Sequence, residues 1–170
     1  MLTAVTKAVA VLATLACVAI VWFCVQNRIH SFSDFRNFRI MRSINDPIVM
    51  ALADGKLIAG STTQQMLAIE HPVWTHDYGR CKIFGFVPER SYDHQTVMAV
   101  DGHLVSATVG SCTWRWSFFN QVPEEVADSV GHVRALRELI EQMPHIASHL
   151  RPQLDKHYAV LGIQVSAAEP

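Results

Sequence analysis

The sequence predicts an α+β fold: an N-terminal transmembrane helix followed by a small domain of short helices, an antiparallel four-stranded meander and C-terminal helices. Three observations lead to this fold class. Residues 8–25 are apolar apart from Thr14. From Gly79 to Phe118, apolar and polar residues alternate with the period of two that is typical of half-buried strands. After Pro123, the apolar residues return at helical spacing.

The apolar run at residues 8–25 has the length of a membrane-spanning helix. Its 18 residues rise about 27 Å at about 1.5 Å each, close to the roughly 30 Å hydrocarbon core of a bilayer. A cleavable signal has a shorter apolar region followed by a small-residue site, whereas this run ends in bulky Trp22 and Phe23. A lipoprotein signal at Cys17, after Ala16, is a further alternative, but the residues that follow stay apolar. We therefore expect a retained single-pass anchor with the lipid bilayer as its partner.

The composition divides the chain into four parts. We expect a membrane anchor at 1–28, a juxtamembrane amphipathic segment at 29–44, a soluble α+β domain at 45–165 and a tail at 166–170. The juxtamembrane segment has phenylalanines at spacing three with arginines between them, as in a helix at a membrane surface; a helix packed on the domain is the alternative. All Lys and Arg residues except Lys7 and Arg28 follow the anchor, without forming a basic patch. Nucleic acid is therefore not an expected partner.

The flanking charges give conflicting indications of orientation. Four arginines follow the span, and only Lys7 and the amino terminus precede it. The positive-inside rule taken alone would place the soluble domain in the cytoplasm. Three of those arginines, however, lie on a predicted helix, and ordinary signal anchors place the larger part of the chain outside. We expect a single-pass membrane protein of the cell envelope with an exocytoplasmic soluble domain.

Two short helices are predicted before the sheet. The first begins at Asn45 or Asp46, which are good N-cap residues, and ends at Gly55. The second has Ser61 as its N-cap, and Gln64 three residues later completes a capping box.

The four predicted strands form a meander. Residues 80–87 form the first strand, and residues 94–119 form the other three. Asp101-Gly102 is the strongest hairpin signal in the chain, and Gly110-Ser111 predicts a second tight turn.

These two turns also predict which residues face the core. They pair Val100 with His103 and Val109 with Cys112. This register places five residues on one face as the expected core: Met98, Val105, Ala107, Trp114 and Trp116. Phe119 does not fit this alternation. We expect it to pack beneath the C-terminal helix or to form, with Arg115, an exposed interaction surface.

The C-terminal region predicts two helices. The longer one starts around Pro123, carries acidic residues at its positive end and presents an apolar stripe as far as Met143. Pro144 ends it. A shorter helix over 145–158 follows, and the remaining residues form a terminal strand or a loosely packed tail.

Nine histidines make a metal site worth considering. His145 and His149 are the candidate ligands, because they lie four residues apart on a predicted helix. Pro144 separates them from Glu141, and no third ligand with motif spacing is nearby. The chain contains no GxSxG, no HExxH and no glycine-rich phosphate loop. We therefore predict no catalytic residue and no cofactor; a membrane-tethered hydrolase or metal-dependent enzyme using these histidines is the alternative.

Cys81 and Cys112 form the candidate disulfide outside the membrane span. In the predicted meander they lie near opposite ends of the strands, about 20 Å apart for strands of about six residues. A disulfide requires Cα atoms within about 7 Å. Only a different strand order would permit the bond, and a buried thiol at Cys112 is the alternative.

Two short motifs resemble the BamE-like (SmpA/OmlA) small envelope domain. They are the helix opening G-S-T-T-Q-Q-M-L, residues 60–67, and V-D-G-H-L-V, residues 100–105, in the sheet. The resemblance covers roughly residues 46–118, and the chain departs from the family in its C-terminal helices and its lack of a lipobox. It implies a non-catalytic role in an envelope assembly.

The function that these observations favour is a single-pass membrane-anchored, non-catalytic domain that acts in protein–protein interaction or envelope scaffolding, with a protein partner. A ligand-sensing domain is a further alternative. Its pocket would lie between the face that carries Trp114 and Trp116 and the helix that follows Pro123.

Overall fold

The computed structural model describes residues 2–27 and 29–164. The chain divides into two compact units, Met1–Ser43 and Ile44–Pro170. The tail expected at 166–170 lies outside the described residues.

The first unit consists of two helices, α1 (Leu2–Gln26) and α2 (Phe32–Arg42). Within α1, Thr6–Gln26 has a mean hydropathy of 2.7, none of it is buried, and it is long and apolar enough to cross a membrane. The hydroxyl of Thr14, the polar residue of the apolar run, donates to the carbonyl of Ala10 at 2.9 Å. This bond satisfies the hydroxyl within the helix, as a hydrocarbon environment requires.

The second helix begins with a side-chain cap. Ser31 accepts from the backbone N–H of Asp34, whose carboxylate accepts from the N–H of His30 at 2.9 Å. These bonds lower the pKa of Asp34, the bond from His30 contributing most. Residues three apart on a helix drift by about 60° per step. Exposure therefore changes along the helix: Phe32 is 85% exposed, whereas Met41, near the other end, is buried.

Two short helices open the second unit, as the sequence predicts. In α3 (Pro47–Ala53), Asp46 is the N-cap and accepts from the first free backbone N–H groups. In α4 (Thr63–Leu67), the capping box lies one residue later than predicted and joins Thr62 with Gln65. Both pairs, Ser61 with Gln64 and Thr62 with Gln65, have the spacing and the residue types of a capping box. The hydroxyl of Ser61 instead accepts from the N–H of Ile58 at 3.0 Å.

The segment that leads into α4 pairs with the hairpin that contains the Asp101-Gly102 turn. The N–H of Gly60 donates to the carbonyl of Leu104, and the N–H of Leu104 donates to the carbonyl of Ser61, each at 2.8 Å. The N–H of Thr63 donates to the carbonyl of Gly102 at 2.9 Å. The two motifs that carry the family resemblance are therefore hydrogen-bonded to one another.

The sheet has five antiparallel strands in chain order, so the predicted count of four is wrong. They are β1 (Trp74–Tyr78), β2 (Cys81–Gly85), β3 (Asp93–Val100), β4 (His103–Ser111) and β5 (Trp114–Asn120). The strand missed is β1, whose sequence WTHDY lacks a clear apolar alternation. The Asp101-Gly102 turn is confirmed, with both residues at positive φ. The second turn lies at Cys112-Thr113, because β4 continues through Ser111.

Two register shifts alter which residues share a face. Ala99 pairs with Leu104 and Met98 with Ser106, which leaves Val105 without a partner. Farther along, Ala107 pairs with Phe119 and Thr108 with Ser117, so Phe118 is an extra residue in the register of β5. Each extra residue reverses the alternation beyond it.

The predicted single core face is therefore wrong. Ala107 belongs to a buried cluster that covers one face of the sheet, whereas Met98 and Val105 pack against the cluster on the other face. Trp114 and Trp116 are half-buried and lie on the Ala107 side, because Trp116 is opposite Val109.

Helices cover both faces of the sheet. On one face, α3 and α4 pack with sheet residues that include Phe84, Val97 and Leu104. On the other face, the partners of Tyr78, Cys81 and Val100 come from α5 (Glu124–Gln142) and α6 (Ala147–Val160), which a 3₁₀ turn, Pro144–Ile146, connects. The described part of the chain after α6 forms no terminal strand; Leu161 is fully buried there.

Candidate functional site

The apolar surface of the first unit lies on α1 and α2. An open groove between these helices is lined by residues that include Ile20, Phe23, Phe32 and Phe35. The ring of Phe23 meets that of Phe38 edge to face at 5.6 Å. The apolar surface of α1 thus continues onto the first turn of α2.

The two residues of the predicted interaction surface lie in different environments. Phe119 is 7% exposed and packs in the core cluster with Leu52 and Met66, so the prediction of an exposed contact at Phe119 is wrong. The alternative, packing beneath the C-terminal helix, is also wrong, because the extra residue Phe118 turns Phe119 toward α3 and α4. Arg115 is exposed and lies opposite Gly110.

The pocket of the ligand-sensing alternative is not formed as expected. Helix α5 packs on the face that carries Cys81 and Val100. Trp114 and Trp116 belong to the opposite face, so the sheet separates them from α5.

The candidate metal ligands His145 and His149 are both exposed. His145 lies on the 3₁₀ turn and His149 in the first turn of α6. In the described part of the chain, the three side chains close enough to one another to hold a metal ion are instead Asp128, His132 and His157. The predicted pair, His145 and His149, is therefore not part of the cluster that could hold a metal ion.

The Asp128–His132–His157 cluster lies where α5 meets α6. One ligand atom from each residue lies within 4.8 Å of the others. The two imidazole rings stack, with centroids 4.5 Å apart and planes inclined by 5°. Asp128 and His132 are four residues apart on α5, and their side chains approach to 3.3 Å.

Hydrogen bonds orient both rings. Nδ1 of His132 lies 2.9 Å from the backbone carbonyl oxygen of Asp128, an acceptor, so this nitrogen carries the proton. Nδ1 of His157 lies 3.2 Å from the hydroxyl of Ser129, which is buried. Each ring is thus held through Nδ1.

A second contact fixes α6 against α5. Nε of Arg137 donates to the hydroxyl of Tyr158 at 2.9 Å, and its guanidinium lies over the same ring. Beneath these polar contacts, Leu154 packs with Val130 and Val133. The relative positions of the two helices are set by these contacts.

Two of the three residues of this cluster could be recognised from their spacing in the sequence. Asp128 and His132 have the same i, i+4 spacing as His145 and His149. His157 joins them only through the packing of α6 on α5, which sequence spacing does not reveal.

Cys81 and Cys112 are both free thiols, so the candidate disulfide is not formed. Cys81 lies opposite Val100, next to the β3–β4 turn, whereas Cys112 lies in the β4–β5 turn at the other end of β4. The strand order that would have brought them together does not occur. Burial raises the pKa of the Cys81 thiol to about 11, with a smaller contribution from Asp77.

His94 occupies an unusual position on the sheet. Its Nε2 is buried and has no hydrogen-bond partner among the described residues. It packs where a side chain at Gly110 would otherwise stand. Burial, and then the nearby charge of Arg115, lower the pKa of His94. The protonated form of the ring is therefore disfavoured at this position.

Comparisons with known proteins identify no relative: no family model, no curated protein and no solved structure matches the chain.

Proposed function

We propose that the protein is a single-pass membrane-anchored, non-catalytic domain that acts in protein–protein interaction or scaffolding in the cell envelope. The observation that carries this proposal is the apolar helix Thr6–Gln26, none of which is buried. In water, such a surface would be strongly unfavourable, because each buried CH₂ group stabilises by about 0.8 kcal/mol. A bilayer supplies the apolar environment that the helix requires.

Retention of the helix, rather than cleavage, is supported by its sequence. A signal sequence also meets the criteria of length and composition, but this span ends in Trp22 and Phe23, without the small residues of a cleavage site. The exposed ring of Phe32 and the arginines of α2 suit the boundary between acyl chains and headgroups. The anchor thus continues into a segment of interfacial character.

The second unit supports a role in binding rather than catalysis. The sheet has helices on both faces, and the sequence carries none of the catalytic motifs considered above. The resemblance to the BamE-like domain, which implies a role in an envelope assembly, rests on two motifs that the structure joins by hydrogen bonds. Arg115 is exposed on β5, opposite Gly110, and is the residue from which we expect partner contacts.

Alkaline carbonate extraction of membranes tests the anchor. We expect the full chain to stay in the membrane pellet and to retain its amino terminus by mass spectrometry. A variant that lacks residues 2–26 is expected in the soluble fraction. Release of the full chain by carbonate, or a mature chain that begins after residue 26, would contradict the proposal.

Thiol labelling in intact cells tests orientation. In a Cys17→Ser/Cys24→Ser background, a membrane-impermeant maleimide meets one exposed thiol, Cys112, because Cys81 is buried. Labelling without permeabilising the inner membrane supports an exocytoplasmic domain. Labelling that requires permeabilisation contradicts it.

Photo-crosslinking tests the role in binding. A photoreactive amino acid replaces Arg115 in one variant and Tyr92, which is 86% exposed, in a matched control. We expect a discrete crosslinked product of higher mass at position 115 and a weaker or different pattern at position 92. Absence of any discrete product from both positions and from Val73, another exposed site, argues against an interaction domain.

A further inference from the structure

We propose that Asp128, His132 and His157 bind a divalent first-row transition ion, with Zn²⁺ as the reference, at the surface where α5 meets α6. The inference is independent of the proposed function, because a metal at this position stabilises two packed helices whether or not the chain binds a protein partner.

The chemistry of the three ligands selects the class of ion. Two imidazoles and one carboxylate form a set that zinc and its neighbours in the first transition row accept. Calcium and magnesium prefer oxygen ligands in larger number. Three protein ligands also leave one position of a tetrahedral ion for water.

The hydrogen bonds already present leave the correct ring atoms available. Nδ1–H of His132 donates to the carbonyl of Asp128, and Nδ1 of His157 is bonded to Ser129. With Nδ1 of His132 protonated, the lone pair of that ring is on Nε2; His157 has its lone pair on Nε2 in the tautomer in which Nδ1–H donates to the hydroxyl of Ser129. Ligating histidines in metal sites are oriented in this way, with the second ring nitrogen bonded to a protein oxygen.

Side-chain rotation separates the observed geometry from a coordinated one. One ligand atom from each side chain lies within 4.8 Å of the others, whereas atoms bound to zinc at about 2.0–2.1 Å in a tetrahedron are about 3.3 Å apart. The carboxylate of Asp128 approaches Nδ1 of His132, at 3.3 Å, so the His132 ring must turn to bring Nε2 to the ion. The rings must also turn from parallel, so that both ring planes meet at the ion. The side chains of Asp128 and His132 are 62% and 54% exposed, so the turn displaces no core residue.

The surroundings favour a cation. Glu124 and Glu125, in the first turn of α5, line a surface depression together with Asp128. Their negative charge raises the local concentration of divalent ions. The Arg137–Tyr158 hydrogen bond holds α6 in register with α5, so His157 reaches His132 without any ordering of the chain on binding.

Zinc titration of the purified protein tests the proposal. The full chain is prepared in detergent with a tag that contains no histidine, in a Cys112→Ser background that removes a competing exposed thiol, and is stripped with a chelator. Isothermal titration calorimetry then measures zinc binding to four chains: the parent, His132→Ala, His157→Ala and a His145→Ala/His149→Ala control. The control removes two exposed histidines with the same spacing that have no third ligand.

We expect one zinc ion per parent chain and unchanged affinity in the control. Loss of an oriented second-sphere group commonly costs about 10–100-fold in metal affinity, so loss of a ligand should raise the dissociation constant at least about tenfold. Cobalt substitution should give visible absorption that His132→Ala abolishes. If His157→Ala fails to fold, because Ser129 loses its partner, His132→Ala alone decides the outcome.

Three results would overturn the proposal. They are no saturable one-equivalent binding in the parent, binding that survives in both single variants, and binding that is lost in the His145→Ala/His149→Ala control. The last result would show that the metal binds at His145 and His149, the pair that the sequence spacing predicts.

Discussion

The same substitution, glycine to alanine, should change stability in opposite directions at two positions of the second unit. Gly110 lies in β4, against the backbone of β5. A Cβ atom there would collide with the carbonyl oxygen of Trp114 and would stand 2.9 Å from Cα of Arg115 and 2.8 Å from Nε2 of His94. Gly131 lies in α5, and a Cβ atom there meets nothing within 4 Å.

The magnitudes follow from these distances. Ordinary van der Waals contact begins at 3.4 Å, so Gly110→Ala forces backbone atoms of a paired strand apart by several tenths of an ångström. Overpacking of this kind costs about 1–3 kcal/mol. In an exposed helix interior, alanine is favoured over glycine by about 0.5–1 kcal/mol. The two variants should therefore differ in their free energy of unfolding by about 1.5–4 kcal/mol.

Thermal unfolding of the full chain in detergent, followed by circular dichroism, measures the difference. At about 4 °C per kcal/mol, Gly131→Ala should raise Tm by about 2–4 °C, and Gly110→Ala should lower it by about 4–12 °C. Adding His94→Ala should not restore Gly110→Ala, because the clash with the β5 backbone remains. A Gly110→Ala variant as stable as the parent would refute the close approach of β4 and β5.

Three further predictions concern the same unit. In the folded protein, maleimide should modify Cys112 rapidly and Cys81 only after unfolding, because Cys81 is fully buried and its pKa is about 11; equal rates by mass spectrometry would contradict its burial. Phe119→Ala should cost about 3–5 kcal/mol by denaturant titration, against less than about 0.5 kcal/mol for the exposed control Tyr92→Ala; similar values would return Phe119 to the surface. The pKa of Asp101 is lowered by its hydrogen bonds to the Arg80 guanidinium, so its stabilisation is present above its unfolded pKa of about 3.9 and is lost as the pH falls through the lower folded value. Asp101→Asn, which tolerates the positive φ, should accordingly flatten the loss of Tm in acid, and an unchanged acid profile would contradict the ion pair.

Local signals predicted the elements whose boundaries are set by local chemistry. Asp46 caps α3, Asp101-Gly102 makes a tight turn, and Pro144 follows the end of α5, each because a few neighbouring atoms decide the outcome. The apolar helix is recognisable for a similar reason, since its length and composition are sufficient.

The features that the sequence did not reveal depend on distant parts of the chain. The extra residues Val105 and Phe118 reverse the alternation in β4 and β5, and a strict period of two in the sequence does not show where a strand carries an extra residue. β1 is stabilised as a strand by pairing with β2 rather than by its own composition. The site at α5 and α6 needs His157, which only tertiary packing brings to His132.

The chain-order meander determines how the second unit can be built during synthesis. Each strand pairs with the one made immediately before it, so ribbon formation needs only short loops to close, a property associated with fast folding. One face can be covered early, since α3 and α4 precede the sheet. The face that carries Cys81 and Val100 must wait for α5 and α6, the last helices to be synthesised. Until they dock, the sheet exposes an apolar face, and a released chain that ends near residue 122 would be prone to aggregate.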